Sequence, residues 1–299
     1  MLSFFKPKNA NFTQNCRKVF MSDLKKKILP KLIGAYINSI AFFSPKKAAE
    51  KAYHLFCTPR LGKLNEKHID FLNTATRWID LDCDDNKIQC YEWEGTGEKV
   101  LLAHGWESNS ARWKNLVKSL QKAGFHVIAM DAPAHGGSGS ETFQALKYAQ
   151  FMSKVVAHFQ PNSMVGHSVG GYATLYFLTH YPHSVQKAVV LGAPSDLSII
   201  MTNYQNMMGY SNRVMAAVDN LFLKNFGQKI AYFKIHEFVK SLKIKGLVIH
   251  GEDDFVCIFS EGKAIQAHWE GSEFMVTNSL GHGYQDKKVY HAVRDFLKS

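Results

Sequence analysis

Between residues 100 and 297 the chain repeats one pattern six times: a short unbroken apolar run, a turn, then a helix-like stretch. The runs are 100–103, 126–130, 163–165, 188–191, 246–249 and 274–276. They lack the alternation of a strand with one wet face, so they read as strands covered on both faces. Helix-like stretches at 110–123, 142–159, 169–180, 260–268 and 285–297 fall between them. This alternation predicts a mostly parallel sheet with helices on both sides. Ligands of such a sheet bind beyond the carboxyl ends of its strands. Upstream, 76–82 and 87–94 alternate and are joined by Cys83-Asp84-Asp85-Asn86, which predicts a hairpin. One connection is too long for the pattern. Residues 197–243 are helix-like and hold four of the ten methionines, as expected of an inserted cap.

Composition agrees with a globular chain: 46% hydrophobic and 20% charged residues exclude a disordered chain and a multi-pass membrane protein. A chain of 299 residues buries enough surface to fold without a metal or disulfide staple. Its five cysteines are odd in number and include no CxxC pair, which reads as reduced thiols and a cytoplasmic setting. The net charge of +11 is unevenly placed. Residues 1–67 carry 14 Lys/Arg against Asp23, Glu50 and Glu66, leaving 22 of each sign in the rest. A basic arm on a neutral body, unlike a basic groove, does not say which anion it meets; nucleic acid stands a poor second to membrane phospholipid, and no nucleic-acid partner is expected. The arm fits peripheral contact at the inner face of a membrane, or a solubilising role.

The arm, residues 1–68, precedes a body of 69–299. Residues 1–20 show neither helical nor strand period, and Met21 makes a plausible true start. The apolar stretch 32–43 is far shorter than the roughly 20 residues that span a bilayer. No small-x-small cleavage site follows it in good context. It is expected to be a helix that packs on the body or dips into a membrane surface.

Chemistry is expected at the strand ends. The run 163–165 leads into Gly166-His167-Ser168-Val169-Gly170 and then an apolar helix. This is G-x-S-x-G in the strand–turn–helix context that gives it meaning. The turn leaves no room for side chains at Gly166 and Gly170. It lifts the Ser168 hydroxyl to the N-terminus of a helix, where free N–H groups favour an anion. A serine nucleophile needs a base. His282, between Gly281 and Gly283 after the last run, is the candidate. His268 and His291 fall in helix-like stretches and read as surface or packing residues. An acid must orient the base. Glu252-Asp253-Asp254 follows the run 246–249, with Asp254 first choice, Asp253 second and Asp196 the alternative after the preceding run. The N–H groups of Val169 and of Trp106, in His104-Gly105-Trp106, are candidates for an oxyanion hole. His104 itself reads as a structural hydrogen-bonding residue. Trp106, with Met207 and Met208 of the insertion, is expected to line an apolar substrate pocket. Asp131-Ala132-Pro133-Ala134-His135-Gly136 reads as a structural turn. No metal is expected, since no H-x-x-H or H-E-x-x-H occurs, and no nucleotide cofactor, since neither phosphate-binding glycine motif is present.

His104-Gly105-Trp106, the 131–136 turn, Gly166-His167-Ser168-Val169-Gly170-Gly171, the 251–254 acids and Leu280-Gly281-His282 together resemble the successive motifs of the α/β-hydrolases. The resemblance covers residues 70–299. It implies an α/β fold with an eight-stranded, mostly parallel sheet and a helical cap. It also implies a serine esterase-like mechanism and no cofactor. Serine at the nucleophile position sets the chain apart from relatives that use aspartate. The implied function is a carboxylesterase-like serine hydrolase acting on a small ester with an apolar acyl group. Lipase, thioesterase and carbon–carbon bond hydrolase are variants with the same residues. A ligand-binding protein without catalysis is the reading from a different class.

Overall fold

The computed structural model describes residues 28–299. Met21 and the stretch 1–20 lie outside the described residues. An eight-stranded sheet runs through the body in the order β1-β2-β4-β3-β5-β6-β7-β8. Its strands are β1 Arg77–Cys83, β2 Asn86–Trp93, β3 Lys99–Ala103, β4 His126–Met130, β5 Ser163–His167, β6 Lys187–Leu191, β7 Lys245–Gly251 and β8 Ser272–Thr277. The hairpin β1–β2 is antiparallel, β2 meets β4 antiparallel, and every other pairing is parallel.

The six apolar runs are strands β3 to β8. Strands β3 to β7 are buried along nearly their whole length because neighbours flank them on both edges and helices cover both faces. Strand β2 departs from its alternating sequence: Ile88 to Trp93 are all buried. Its polar Gln89 and Glu92 are covered too, Gln89 by the 137–138 turn, where a Cβ on Gly137 would sit 3.0 Å from the Gln89 Cγ. Glu92 is held by Arg77 at 2.7 Å and His126 at 2.8 Å. Burial alone would raise its pKa, and those two partners hold it below the usual range.

Helices in chain order are α1 (28–43), α2 Pro45–Cys57, α3 Glu66–Leu72, α4 Lys114–Lys122, α5 Ala145–Phe159, α6 Val169–His180, α7 Leu197–Met208, α8 Asn212–Phe226, the one-turn α9 Ile235–Phe238, α10 Phe259–His268 and α11 Lys287–Lys298. The α6 helix follows β5 directly and is buried over most of its surface, which its apolar sequence allows. Cys83, Cys90 and Cys257 are buried thiols. No helix among the described residues is long and apolar enough to cross a membrane.

Two compact units emerge. One combines the described residues up to Leu55 with Ile199–Ile230; the other holds Phe56–Ser198 and Ala231–Ser299. Against the expected bounds, residues 56–68 group with the sheet rather than the arm, and 197–198 and 231–243 with the sheet rather than the cap. The chain after α2 is pinned to the sheet unit by backbone bonds, from Phe143 N–H to Cys57 C=O and from Gly136 N–H to Gly62 C=O. Likewise Leu197 N–H bonds Phe233 C=O. Inside the smaller unit, α1 lies so close to α7 that a Cβ on Gly34 would sit 1.8 Å from the Met208 carbonyl oxygen. Asn38 accepts from Ser211 N–H at 2.8 Å and donates to Gly209 C=O at 2.9 Å. The Lys31 ammonium donates to the Asn206 carbonyl.

Candidate active site

Strand order reverses at β3: the chain passes from β3 to β4 on one side, then returns to place β5 on the other. Such a switch point opens a crevice at the carboxyl ends of the strands. Register pairs Ala103 with Gly166, so the segments that leave β3 and β5 emerge side by side. A Cβ on Gly105 would stand 2.9 Å from both the Ser168 Cβ and the His167 Nδ1.

Ser168 occupies the tip of the turn after β5 with φ 55° and ψ −129°. A non-glycine residue there is strained and persists only when its surroundings dictate it. Crowding supplies that dictation. A Cβ on Gly166 would approach the Gly171 Cα to 2.6 Å, and one on Gly170 would meet the Ala103 and His104 carbonyl oxygens at 2.5 and 2.3 Å. The Ser168 N–H is tied to Leu191 C=O at 2.9 Å.

His282 arrives on a one-turn 3-10 segment, Gly281–Gly283, after β8. Its Nε2 lies 2.9 Å from Ser168 Oγ, and its Nδ1 lies 2.7 Å from Asp254 Oδ2. Asp254 is 2% exposed, in the loop after β7. Its Oδ1 accepts from the N–H groups of Val256 and Cys257 at 3.0 and 2.9 Å. Burial would raise its pKa. The bonds from His282, Cys257 and Tyr284 win, and the carboxyl sits below its ordinary value. The structure thus brings Ser168, His282 and Asp254 into one hydrogen-bonded chain. Neither alternative acid takes that place: Asp253 Oδ2 accepts from Gly281 N–H at 2.8 Å, and Asp196 Oδ1 accepts from Ser198 N–H at the start of α7.

Four side chains that no sequence motif pointed to in these roles hold this chain in place. Tyr284 donates its hydroxyl to Asp254 Oδ2 at 2.8 Å and accepts Gly251 N–H at 3.0 Å. Burial raises its pKa far above the ordinary phenol value, so it remains a donor. Its ring fits only because Gly192, at φ +55°, has no side chain: a Cβ there would lie 2.5 Å from the ring. His167 Nε2 bonds His282 C=O at 2.7 Å. Burial, then the Arg112 charge, push its pKa well down, so the neutral ring carries its proton on Nε2 and donates. Arg112 donates to Gly283 C=O at 2.9 Å, and burial lowers its pKa to about 10. Asp253 completes the set through Gly281 N–H. These partners lie far away in sequence and leave no local pattern to find.

The loop after β3 is shaped as expected. His104 is fully buried, with Nδ1 bonded to Gly105 C=O at 2.8 Å and Nε2 accepting Ala132 N–H at 2.9 Å. Burial keeps it neutral, its pKa well below the ordinary value. Asp131 binds Ser110 N–H and Oγ through one oxygen, and Gly137 N–H and the Tyr91 hydroxyl through the other. His135 accepts Glu107 N–H at 3.0 Å and donates to Pro133 C=O at 2.8 Å. All three are saturated as structural hydrogen-bonding groups. No cluster of three metal-ligating side chains occurs among the described residues.

Trp106 is partly buried, its ring edge-on to His135 and Phe143. The N–H groups of Trp106 and Val169 have no backbone acceptor among the described residues. Met207 is half exposed and Met208 buried, both on α7 in the smaller unit. His268 bonds Ala264 C=O at the end of α10, and His291 is exposed on α11.

Comparison with known proteins bears on the fold. A family model described as the alpha/beta hydrolase fold matches residues 99–240. A non-heme haloperoxidase of Rhodococcus erythropolis is 33% identical over 39% of this chain and 44% of its own length. A monoacylglycerol lipase of Mus musculus is 22% identical over 70% of this chain and 79% of its own. The chain thus spans less than half of the haloperoxidase. An esterase from Exiguobacterium antarcticum superposes with a TM-score of 0.58 at 17% identity, covering 75% of this chain and all of its own. A meta-cleavage product hydrolase superposes with a TM-score of 0.57 at 16% identity, covering 74% and 97%.

Proposed function

Because the chain belongs to the α/β-hydrolase superfamily, we propose that it is a serine hydrolase that cleaves carboxylic esters through an acyl-enzyme. One observation carries the reading: the bonded chain from Ser168 Oγ through His282 to Asp254. Serine is a poor nucleophile at its own pKa and becomes effective beside a base. His282 Nε2 takes the Ser168 proton as Oγ attacks the ester carbonyl. The imidazolium that forms is stabilised by the ionised Asp254, whose second bond from Tyr284 keeps its Oδ2 aimed at Nδ1. The carbonyl oxygen becomes an anion and accepts from the Trp106 and Val169 N–H groups. His282 returns the proton to the leaving alkoxide. Water, activated by His282, then attacks the acyl-enzyme and releases the acid.

An apolar acyl group suits the aromatic ring of Trp106, one residue after the Gly105 that abuts Ser168 and edge-on to Phe143. Thioester or carbon–carbon bond cleavage would run through the same three side chains. Labelling with a fluorophosphonate probe, followed by rates on p-nitrophenyl esters and matched thioesters, tests the reading. Labelling of the wild type, its loss in Ser168→Ala and faster turnover of esters than thioesters are expected. A folded protein that takes up no label and turns over no ester is a binding protein instead.

A further inference from the structure

A helix on a protein surface normally turns polar residues to water. Helix α1 does not. One side, with Gly34, Ile37 and Ala41, is buried. On the opposite side Ile28, Leu29, Leu32, Tyr36, Phe42 and Phe43 stand exposed, from 45% for Ile28 to 87% for Phe43. Their spacing is helical: 28, 32 and 36 lie one turn apart, with 43 two turns on, so they form one stripe. Lys31 is the only charged residue of 28–43, and it reaches sideways to Asn206. At about 1.5 Å per residue, the 16 described helical residues 28–43 run roughly 24 Å, long enough to lie along a membrane interface.

Charge identifies what the stripe meets. From residue 24 to 49 there is no acid, while Lys25, Lys26 and Lys27 precede the helix in sequence and the exposed Lys46 and Lys47 follow it. Lysines that flank an apolar face in sequence complement a surface that is apolar inside and anionic at its rim. A second copy of the chain fits badly, because pairing two such helices would set lysines against lysines in either direction. We propose that α1 docks on an anionic lipid membrane. Leu32, Tyr36 and Phe43 enter the acyl boundary, and Lys46 and Lys47 meet the headgroup phosphates. The proposal rests on α1 and the lysines that open α2, and does not depend on the esterase reading.

Flotation of the full chain with phosphatidylcholine vesicles, with and without phosphatidylglycerol, tests it. The wild type is expected to float with the mixed vesicles and to come off as salt is raised. Leu32→Ser and Phe43→Ser should each weaken binding by about tenfold on either vesicle. Lys46→Gln and Lys47→Gln should each cost about fivefold on anionic vesicles and nothing on neutral ones. Both pairs alter exposed side chains, and circular dichroism with the thermal midpoint checks that they fold. A wild type that stays with the soluble fraction overturns the proposal. So does binding indifferent to Leu32 and Phe43, or a dimer in sedimentation that Phe43→Ser dissolves while vesicles remain unbound.

Discussion

The elbow that carries Ser168 and the turn that carries His282 are fixed by opposite means. At the elbow, glycines are crowded: Gly166, Gly170 and Gly105 each face neighbours closer than 3.0 Å to any added Cβ. The His282 turn is open, and a Cβ on Gly281 or Gly283 would meet nothing within 4 Å. Crowding at its glycines does not fix it, and hydrogen bonds to its backbone do. Asp253 takes the Gly281 N–H, His167 the His282 C=O and Arg112 the Gly283 C=O. Sterics set the nucleophile, and remote polar side chains set the base. A site can therefore be rigid at both ends while tolerating very different substitutions at each.

The largest effect should follow from removing the atom that joins the two ends. Ser168→Ala is expected to lower kcat by roughly 10⁶ with folding intact. Steady-state rates on the best ester check it, and a rate near wild type would remove Ser168 from the chemistry. On the turn side, Asp254→Asn should lower kcat by about 10⁴, since the imidazole loses both its tautomer and its counter-charge. Asp253→Asn and Asp196→Asn should cost far less, because an amide oxygen still accepts the bonds those residues make. If Asp196→Asn proved the crippling change, the bonded chain would not be the working one.

Gly170→Ala against Gly283→Ala breaks the comparison most directly. The first forces a methyl onto two backbone carbonyls and should destabilise by about 3 kcal/mol, while the second should stay within about 0.5 kcal/mol. Urea midpoints measure both, and equal losses would mean that crowding does not distinguish the two ends. Tyr284→Phe strips a donor from Asp254 and leaves Gly251 N–H buried without its acceptor. A loss of about 1–3 kcal/mol is expected, with a fall in kcat and little change in KM.

The two ends also differed in how far the sequence exposed them. Ser168 was legible because its glycines must lie within two residues of it, and the strand before and helix after are local patterns. His282 and Asp254 were legible as turns that follow apolar runs. The residues that clamp His282 were not, since His167 and Arg112 lie 115 and 171 residues from the carbonyls they bond. Strand β2 misled for a related reason. Its alternation is real, but packing covers both of its faces: Tyr91 and Trp93 lie in the core with Phe71 on one, and Ile88 and Cys90 are buried on the other. The stretch 197–243 read as one insertion, yet its middle groups with α1 through the close approach at Gly34, which no periodicity announces.

His167 is where the two regions meet, since it belongs to the elbow and bonds the turn. Burial holds its neutral form in the folded state, with pKa well below the ordinary 6.5. The sign follows from that direction. Above pH 6.5 folded and unfolded chains are both neutral at this ring, and its titration leaves stability unchanged. As pH falls through 6.5 the unfolded chain takes up a proton that the folded chain refuses, so stability drops. The slope is about 1.4 kcal/mol per pH unit at most for one such group. In His167→Gln the amide nitrogen can still donate to His282 C=O, but nothing titrates. Urea midpoints of both proteins from pH 7.5 to pH 5 should coincide in shape above about pH 7. Below it the wild type should fall more steeply, by up to about one proton's worth. His104, His135 and His250 are also buried with lowered values, so both proteins will lose stability in acid. Only the difference in slope reports on His167. Parallel curves would show that this ring is not held neutral, and the link from elbow to turn would need a different donor.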